Sequence, residues 1–177
     1  MHAVEESTIQ RALPFVIKSI RRGEPQKLFE MLANGFPVTE RIGSYNLIQY
    51  AVLNAPTFKI VQVLINCGAN AFETTMDGRN LVHLCCRAKR VKMLEGLWPY
   101  LVASKITRAL NARTQGGTTP LMMAIQSGST STVAMCLNAG MNGQDENYLG
   151  RKCADIAKQS CTEEVAEQIV SILETYK

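Results

Sequence analysis

No stretch of the chain is apolar for long enough to cross a bilayer; the longest candidate, LEGLWPYLVA, is interrupted by Glu95, Gly96 and Pro99. The opening MHAVEESTIQ carries Glu5 and Glu6 and lacks the apolar core of a signal peptide. A cytoplasmic location is therefore expected, with cytoskeletal or nuclear association left open. Imidazole is scarce, limited to His2 and His83, and none of the six cysteines stands in a C-x-x-C pair. Zinc needs four well-spaced ligands, and His83, Cys85 and Cys86 lie too close along one short segment to surround a metal. Neither metal nor cofactor is expected. Cys67, Cys85, Cys86, Cys136, Cys153 and Cys161 read as buried thiols in a reducing compartment. Charged residues amount to 19% and the formal net charge is +4, too slight to indicate a partner, while 46% hydrophobic residues exclude wholesale disorder.

What the sequence does contain is punctuation that recurs. Residues 116–128, GGTTPLMMAIQSG, open with glycines that would suit a phosphate-cradling loop if they stood alone. They have counterparts: IGSYNLIQYAVLN from Ile42, DGRNLVHLCCRAK from Asp77 and LGRKCADIAKQ from Leu149. The anchoring glycines, Gly43, Gly78, Gly117 and Gly150, are spaced by 35, 39 and 33 residues, the period of a stacked-repeat architecture. Downstream of each lies a second apolar pattern at i, i+1, i+4, i+5: Ile60, Val61, Leu64, Ile65; Met93, Leu94, Leu97, Trp98; Thr132, Val133, Cys136, Leu137; Val165, Ala166, Ile169, Val170. That spacing gives a helix one apolar face. Gly68 and Gly140 follow two of these helices and suit a left-handed stop. Thr119 and Asn80 can cap the first helices, and Pro120 suits a first helical position.

These motifs resemble the ankyrin repeat. Its T-P-L-H-x-A-A signature compares with Thr119-Pro120-Leu121-Met122-Met123-Ala124-Ile125, and with Asn80-Leu81-Val82-His83-Leu84-Cys85-Cys86, where the histidine is kept. The resemblance implies an all-α solenoid of stacked helix-turn-helix units with short extended connectors. It divides one domain, 1–177, into repeats at 8–42, 43–77, 78–116, 117–149 and 150–177. The first repeat is degenerate, with Gly23 between its helices, a first helix near Pro14 to Ile20, and Leu28, Met31 and Leu32 on the second. The third is longer than its neighbours, and LVASKITRALNAR after Pro99 suggests an extra helical turn. His83, by the resemblance, joins neighbouring repeats by hydrogen bonding. Cys85 and Cys86 beside it are the sole nucleophile-like cluster, yet they fall on packing positions, so no enzyme is expected.

Charge is unevenly placed. From Arg79 to Arg113 there are eight basic residues (Arg79, Arg87, Lys89, Arg90, Lys92, Lys105, Arg108, Arg113) against Glu95 alone, whereas the remainder is net acidic. Arg87 suits a helix C-terminus, but Lys89, Arg90 and Lys92 crowd the start of the next helix, where cations cost about a few tenths of a kcal/mol. Residues kept against local preference suggest a partner protein with an acidic surface. Nucleic acid is not expected, because no aromatics interleave with the cations. The resemblance further implies a concave groove holding Gln49, Leu53, Leu84, Arg87, Met123 and Gln126, edged by tip residues such as Arg79 and Arg113. Leu53, Leu84 and Met123 would form an apolar stripe there. The expected function is a non-catalytic interaction module or scaffold subunit. A structural subunit of a cytoskeletal or ciliary assembly, sticky at Trp98 and Met123 when free, is one alternative. An inhibitor of a transcription factor is another.

Overall fold

The computed structural model describes residues 6–101 and 108–176. They form helical pairs in two compact units, one up to Ala71 and the other from Phe72. The first unit holds α1 (Glu6–Arg22) with α2 (Pro25–Ala33), and α3 (Leu47–Asn54) with α4 (Phe58–Asn66). A two-stranded antiparallel ribbon, β1 (Arg41–Ile42) and β2 (Tyr45–Asn46), leads into α3. The second unit holds three pairs: α5 (Leu81–Arg87) with α6 (Val91–Leu97), α7 (Pro120–Gln126) with α8 (Thr130–Asn138), and α9 (Cys153–Ser160) with α10 (Glu163–Thr175). A single 3-10 turn, Trp98–Tyr100, follows α6. The described residues are thus all-α apart from the small ribbon and an isolated antiparallel bridge between Glu146 and Lys152.

Burial follows position in the stack. Within the second unit α7 lies between α5 and α9, and every residue from Pro120 to Ile125 is buried. A helix flanked on both sides must be apolar nearly all round. α5 is likewise buried from Leu81 to Cys86. The second helices bury one stripe only, as the apolar spacing requires: Ile60, Val61 and Leu64 on α4, and Thr132, Val133, Cys136 and Leu137 on α8. α1 departs from expectation. It runs from Glu6 rather than from Pro14, with Pro14 inside it and only Val16, Ser19 and Ile20 buried. Its first two turns bury nothing, so no apolar period announces them.

The helix ends use the residues the sequence suggests. Asn80 Oδ1 accepts the His83 amide at 3.0 Å and Thr119 Oγ1 accepts the Met122 amide at 3.4 Å. A third cap is reciprocal: Gln49 N–H donates to Asn46 Oδ1 at 2.9 Å while Asn46 N–H donates to Gln49 Oε1 at 3.1 Å. Gly23, Gly35, Gly68, Gly128 and Gly140 close their helices at positive φ between 68° and 96°.

The connectors of the second unit repeat one turn three times. Thr75, Thr114 and Asn147 each accept, with a side-chain oxygen, the amide four residues on, from Arg79, Thr118 and Arg151. Each backbone amide in turn donates to the carbonyl of that same later residue, at 2.8–3.0 Å. The third residue along is glycine, Gly78, Gly117 or Gly150, all at positive φ. Adjacent tips are then tied together by Gln115 N–H to Asp77 O (3.0 Å) and Tyr148 N–H to Gly116 O (3.3 Å).

Gly117 carries a second constraint, since a Cβ there would meet Tyr148 N and Cδ1 at 2.6 Å. At Gly43 (φ 60°) there is open space and only the backbone conformation resists a side chain. Gly117→Ala is therefore expected to lower the unfolding free energy by about 2–3 kcal/mol, and Gly43→Ala by about 1 kcal/mol. Urea titration of the two variants measures the difference, and equal losses would show that the Tyr148 contact is not a constraint.

Candidate interaction surface

The basic segment is less exposed to a partner than its composition suggests. Arg79 Nη2 pairs with Asp77 Oδ2 at 2.8 Å. Burial alone would raise the Asp77 carboxyl, but the Thr75 hydroxyl and the Arg79 charge hold it below its ordinary value. Arg113 lies between two tips: Nη2 pairs with Asp145 Oδ1 at 3.1 Å, while Nη1 donates to Gly117 O at 3.2 Å and Glu146 O at 2.5 Å. Both arginines are therefore engaged within the fold. Lys105 lies outside the described residues, and Arg108 is exposed.

A different group of cations faces solvent. Arg87 closes α5, Lys89 sits in the turn, Arg90 is the N-cap of α6, and Lys92 lies in its first turn. Arg87, Lys89 and Lys92 are exposed and Arg90 half-buried. Lys89 has φ 57°, the sole non-glycine residue at positive φ among those described. The same turn follows α1, α4 and α8. Lys89 N–H reaches Cys86 O at 3.3 Å and Arg90 N–H reaches Cys85 O at 2.9 Å, as Gly23 and Glu24 reach Ile20 O and Ser19 O. At Gly23, Gly68 and Gly140 the same slot is glycine.

The expected apolar stripe is corrected by burial. Leu84 and Met123 are 2% and 3% exposed, closed over by the neighbouring helices of their own unit, and offer no surface to a partner. Leu53, in the first unit, is half-buried. Gln49 is fully buried because its side chain completes the α3 cap. Gln126, the last residue of α7, is exposed and lies in the same unit as the cation group. The most exposed large apolar side chains of this unit are Met76, Tyr148 and Leu149 at the connector tips, at 85%, 68% and 72% exposure. Their signal in the sequence is an apolar residue at the variable positions of the Thr/Asn-x-x-Gly turn.

His83 and its neighbouring thiols are interior groups. With its proton on Nε2, the His83 ring donates to Thr118 O at 3.1 Å, and Nδ1 accepts the Asn80 amide at 3.4 Å. Asn80 Oδ1 stands 2.8 Å from the same Nδ1, so the other tautomer would exchange the Thr118 bond for one to Asn80. Burial pulls the imidazole down to about 4, outweighing the Thr118 carbonyl that favours the charged form. Burial pushes the Cys85 thiol far up; Cys86 is raised by its contact with Cys136, Sγ to Sγ 3.4 Å, and by burial. Cys153 is pushed up to about 12 by burial.

Two outcomes follow. A native His83 that titrates near 4 against about 6.5 unfolded stabilises the fold above pH 6.5, and that stability drains away as pH falls toward 4. The loss is on the order of 3 kcal/mol. Denaturant titrations across this range should show a steeper decline for the parent chain than for His83→Gln; parallel curves would mean the imidazole is not held neutral. Of the six thiols, the half-buried Cys67 and Cys161 should react promptly with an aromatic disulfide reagent. Cys85, Cys86, Cys136 and Cys153, being buried, should react only after unfolding. Fast labelling of Cys85 or Cys86 would refute that ordering.

None of the helices among the described residues is long and apolar enough to cross a membrane. No curated protein matches the sequence. A family model for ankyrin repeats does match, in three copies over residues 47–147, more than half of the chain. Taken with the capped first helices, the left-handed glycine stops and the tied connector tips, that match places the chain in the ankyrin-repeat family.

Proposed function

We propose that the chain is a non-catalytic protein-interaction module whose α5–α6 turn receives an acidic segment of a partner protein. Ankyrin repeats are generally protein–protein interaction modules, and the repeat match runs from 47 to 147. The observation that carries the reading is Lys89. An L-residue in the left-handed region costs about 1–2 kcal/mol relative to the right-handed helix, a cost that glycine in the matching turns avoids. Lys89 and Lys92 also flank the positive end of α6, which disfavours cations. A charge that opposes both backbone and dipole, and points into solvent, is explained by something outside the fold. The buried, protonated thiols beside His83 support the non-catalytic part of the reading.

Substituting Lys89 separates stability from binding. Lys89→Gly is expected to raise the unfolding free energy by about 1 kcal/mol, because the strain relieved exceeds the flexibility that glycine adds. It should also weaken capture of a fluorescein-labelled oligoglutamate peptide several-fold at low salt, and Lys89→Glu/Lys92→Glu should abolish capture. Undiminished peptide affinity in both variants, read by fluorescence anisotropy, would remove the α5–α6 turn as the docking surface.

A further inference from the structure

Inside each unit, a helical pair covers its apolar side with the next pair. α1 and α2 pack on α3 and α4, burying Val16, Ile20 and Leu28 completely. Phe15 and Phe29 are left 61% and 49% exposed. Arg11 stands four residues before Phe15, Lys18 three after and Arg22 seven after, so the four side chains share one side of α1, and all four residues are exposed. In the second unit α9 and α10 pack on α7 and α8. A groove of 590 Å³ remains there, lined by Ala166 and Val170, by the carboxylates of Glu163, Glu167 and Glu174, and by Ser171 and the single cation Lys158 of α9. α10 carries four glutamates and no cation.

The two helices match in spacing as well as in sign. Residues 11, 15, 18 and 22 on α1 are separated by the same steps, four, three and four, as residues 163, 167, 170 and 174 on α10. Each set spans about 16 Å, three helical turns. Laid antiparallel, Arg11 meets Glu174, Phe15 meets Val170, Lys18 meets Glu167 and Arg22 meets Glu163. Laid parallel, Phe15 would meet Glu167 and Lys18 would meet Val170. Antiparallel helices also bring opposite dipole ends together.

We infer that the occupant of the α9–α10 groove is a second copy of this chain, whose α1 lies antiparallel along α10 with Phe15 against Val170. The contact is heterologous, since the surface offered differs from the surface received. Its three ion pairs supply register and orientation, and the aromatic supplies the apolar contact. This site is separate from the α5–α6 turn and does not depend on it.

The test is sedimentation velocity of the full chain from low micromolar to sub-millimolar concentration, at low and high salt. Self-association that weakens with salt is expected. Arg11→Glu/Lys18→Glu and Glu167→Lys/Glu174→Lys should each weaken it by about tenfold or more, and an equimolar mixture of the two should restore it. Phe15→Ala should weaken it without altering circular dichroism. Orientation is read separately with both changes in one chain: Arg11→Glu/Glu174→Lys should self-associate again, and Arg11→Glu/Glu163→Lys should not. A monomer at every concentration, association indifferent to these charges, or rescue by Glu163→Lys instead would each overturn the inference.

Discussion

The near-complete burial of α5 and α7 is the constraint on which the rest of the second unit depends. A helix covered on all sides cannot leave its first amides to water, so each must be met by a side chain. Asn80 and Thr119 do this at their own helices. The polar groups recruited for the task then need partners themselves, and that requirement spreads outward. Asn80 Nδ2 donates to Ala109 O at 2.9 Å, and the His83 ring reaches Thr118 in the next connector. Covering apolar surface thus forces a polar lattice that holds successive connectors at a fixed spacing, and Arg113 completes it at the solvent edge.

Much of this lattice was legible in the sequence, because its parts are local. The glycines at 43, 78, 117 and 150 all have positive φ, and the second-helix patterns such as Ile60, Val61 and Leu64 are buried stripes. What could not be read were relations between distant residues. Asp145 neutralises Arg113 across 32 positions, and nothing near Arg113 announces it. Leu84 and Met123 read as groove residues, but the helices of their own unit that bury them lie far along the sequence. Gln49 reads as a surface amide until Asn46 is seen beside it as its capping partner. Only the Pro14–Ile20 part of α1 was legible, because first turns that bury nothing leave no periodic trace.

Electrostatics in this chain therefore divide into two kinds. Charges near the connector tips are internal: Arg79, Arg113 and Lys152 meet Asp77, Asp145 and Glu146. Such partly exposed pairs add little to stability; Arg79–Asp77 and Lys152–Glu146 each close within one connector, while Arg113–Asp145 joins two. Charges in the turn between α5 and α6 oppose the local backbone and the helix dipole together. Composition alone counts both kinds equally, which is why a net charge over a segment says less about a surface than the conformation of one lysine.

The side-chain links of the second unit also carry a kinetic consequence. His83 to Thr118 closes a separation of 35 residues, Arg113 to Glu146 one of 33, Asn80 to Ala109 one of 29, and Cys86 to Cys136 one of 50. The first three span about one repeat and the fourth reaches the second helix of the next, so forming them requires little loop closure beyond a hairpin already made. Order can then start in any helical pair and spread to its neighbour, and a chain emerging during synthesis can consolidate each pair as soon as the next connector is available.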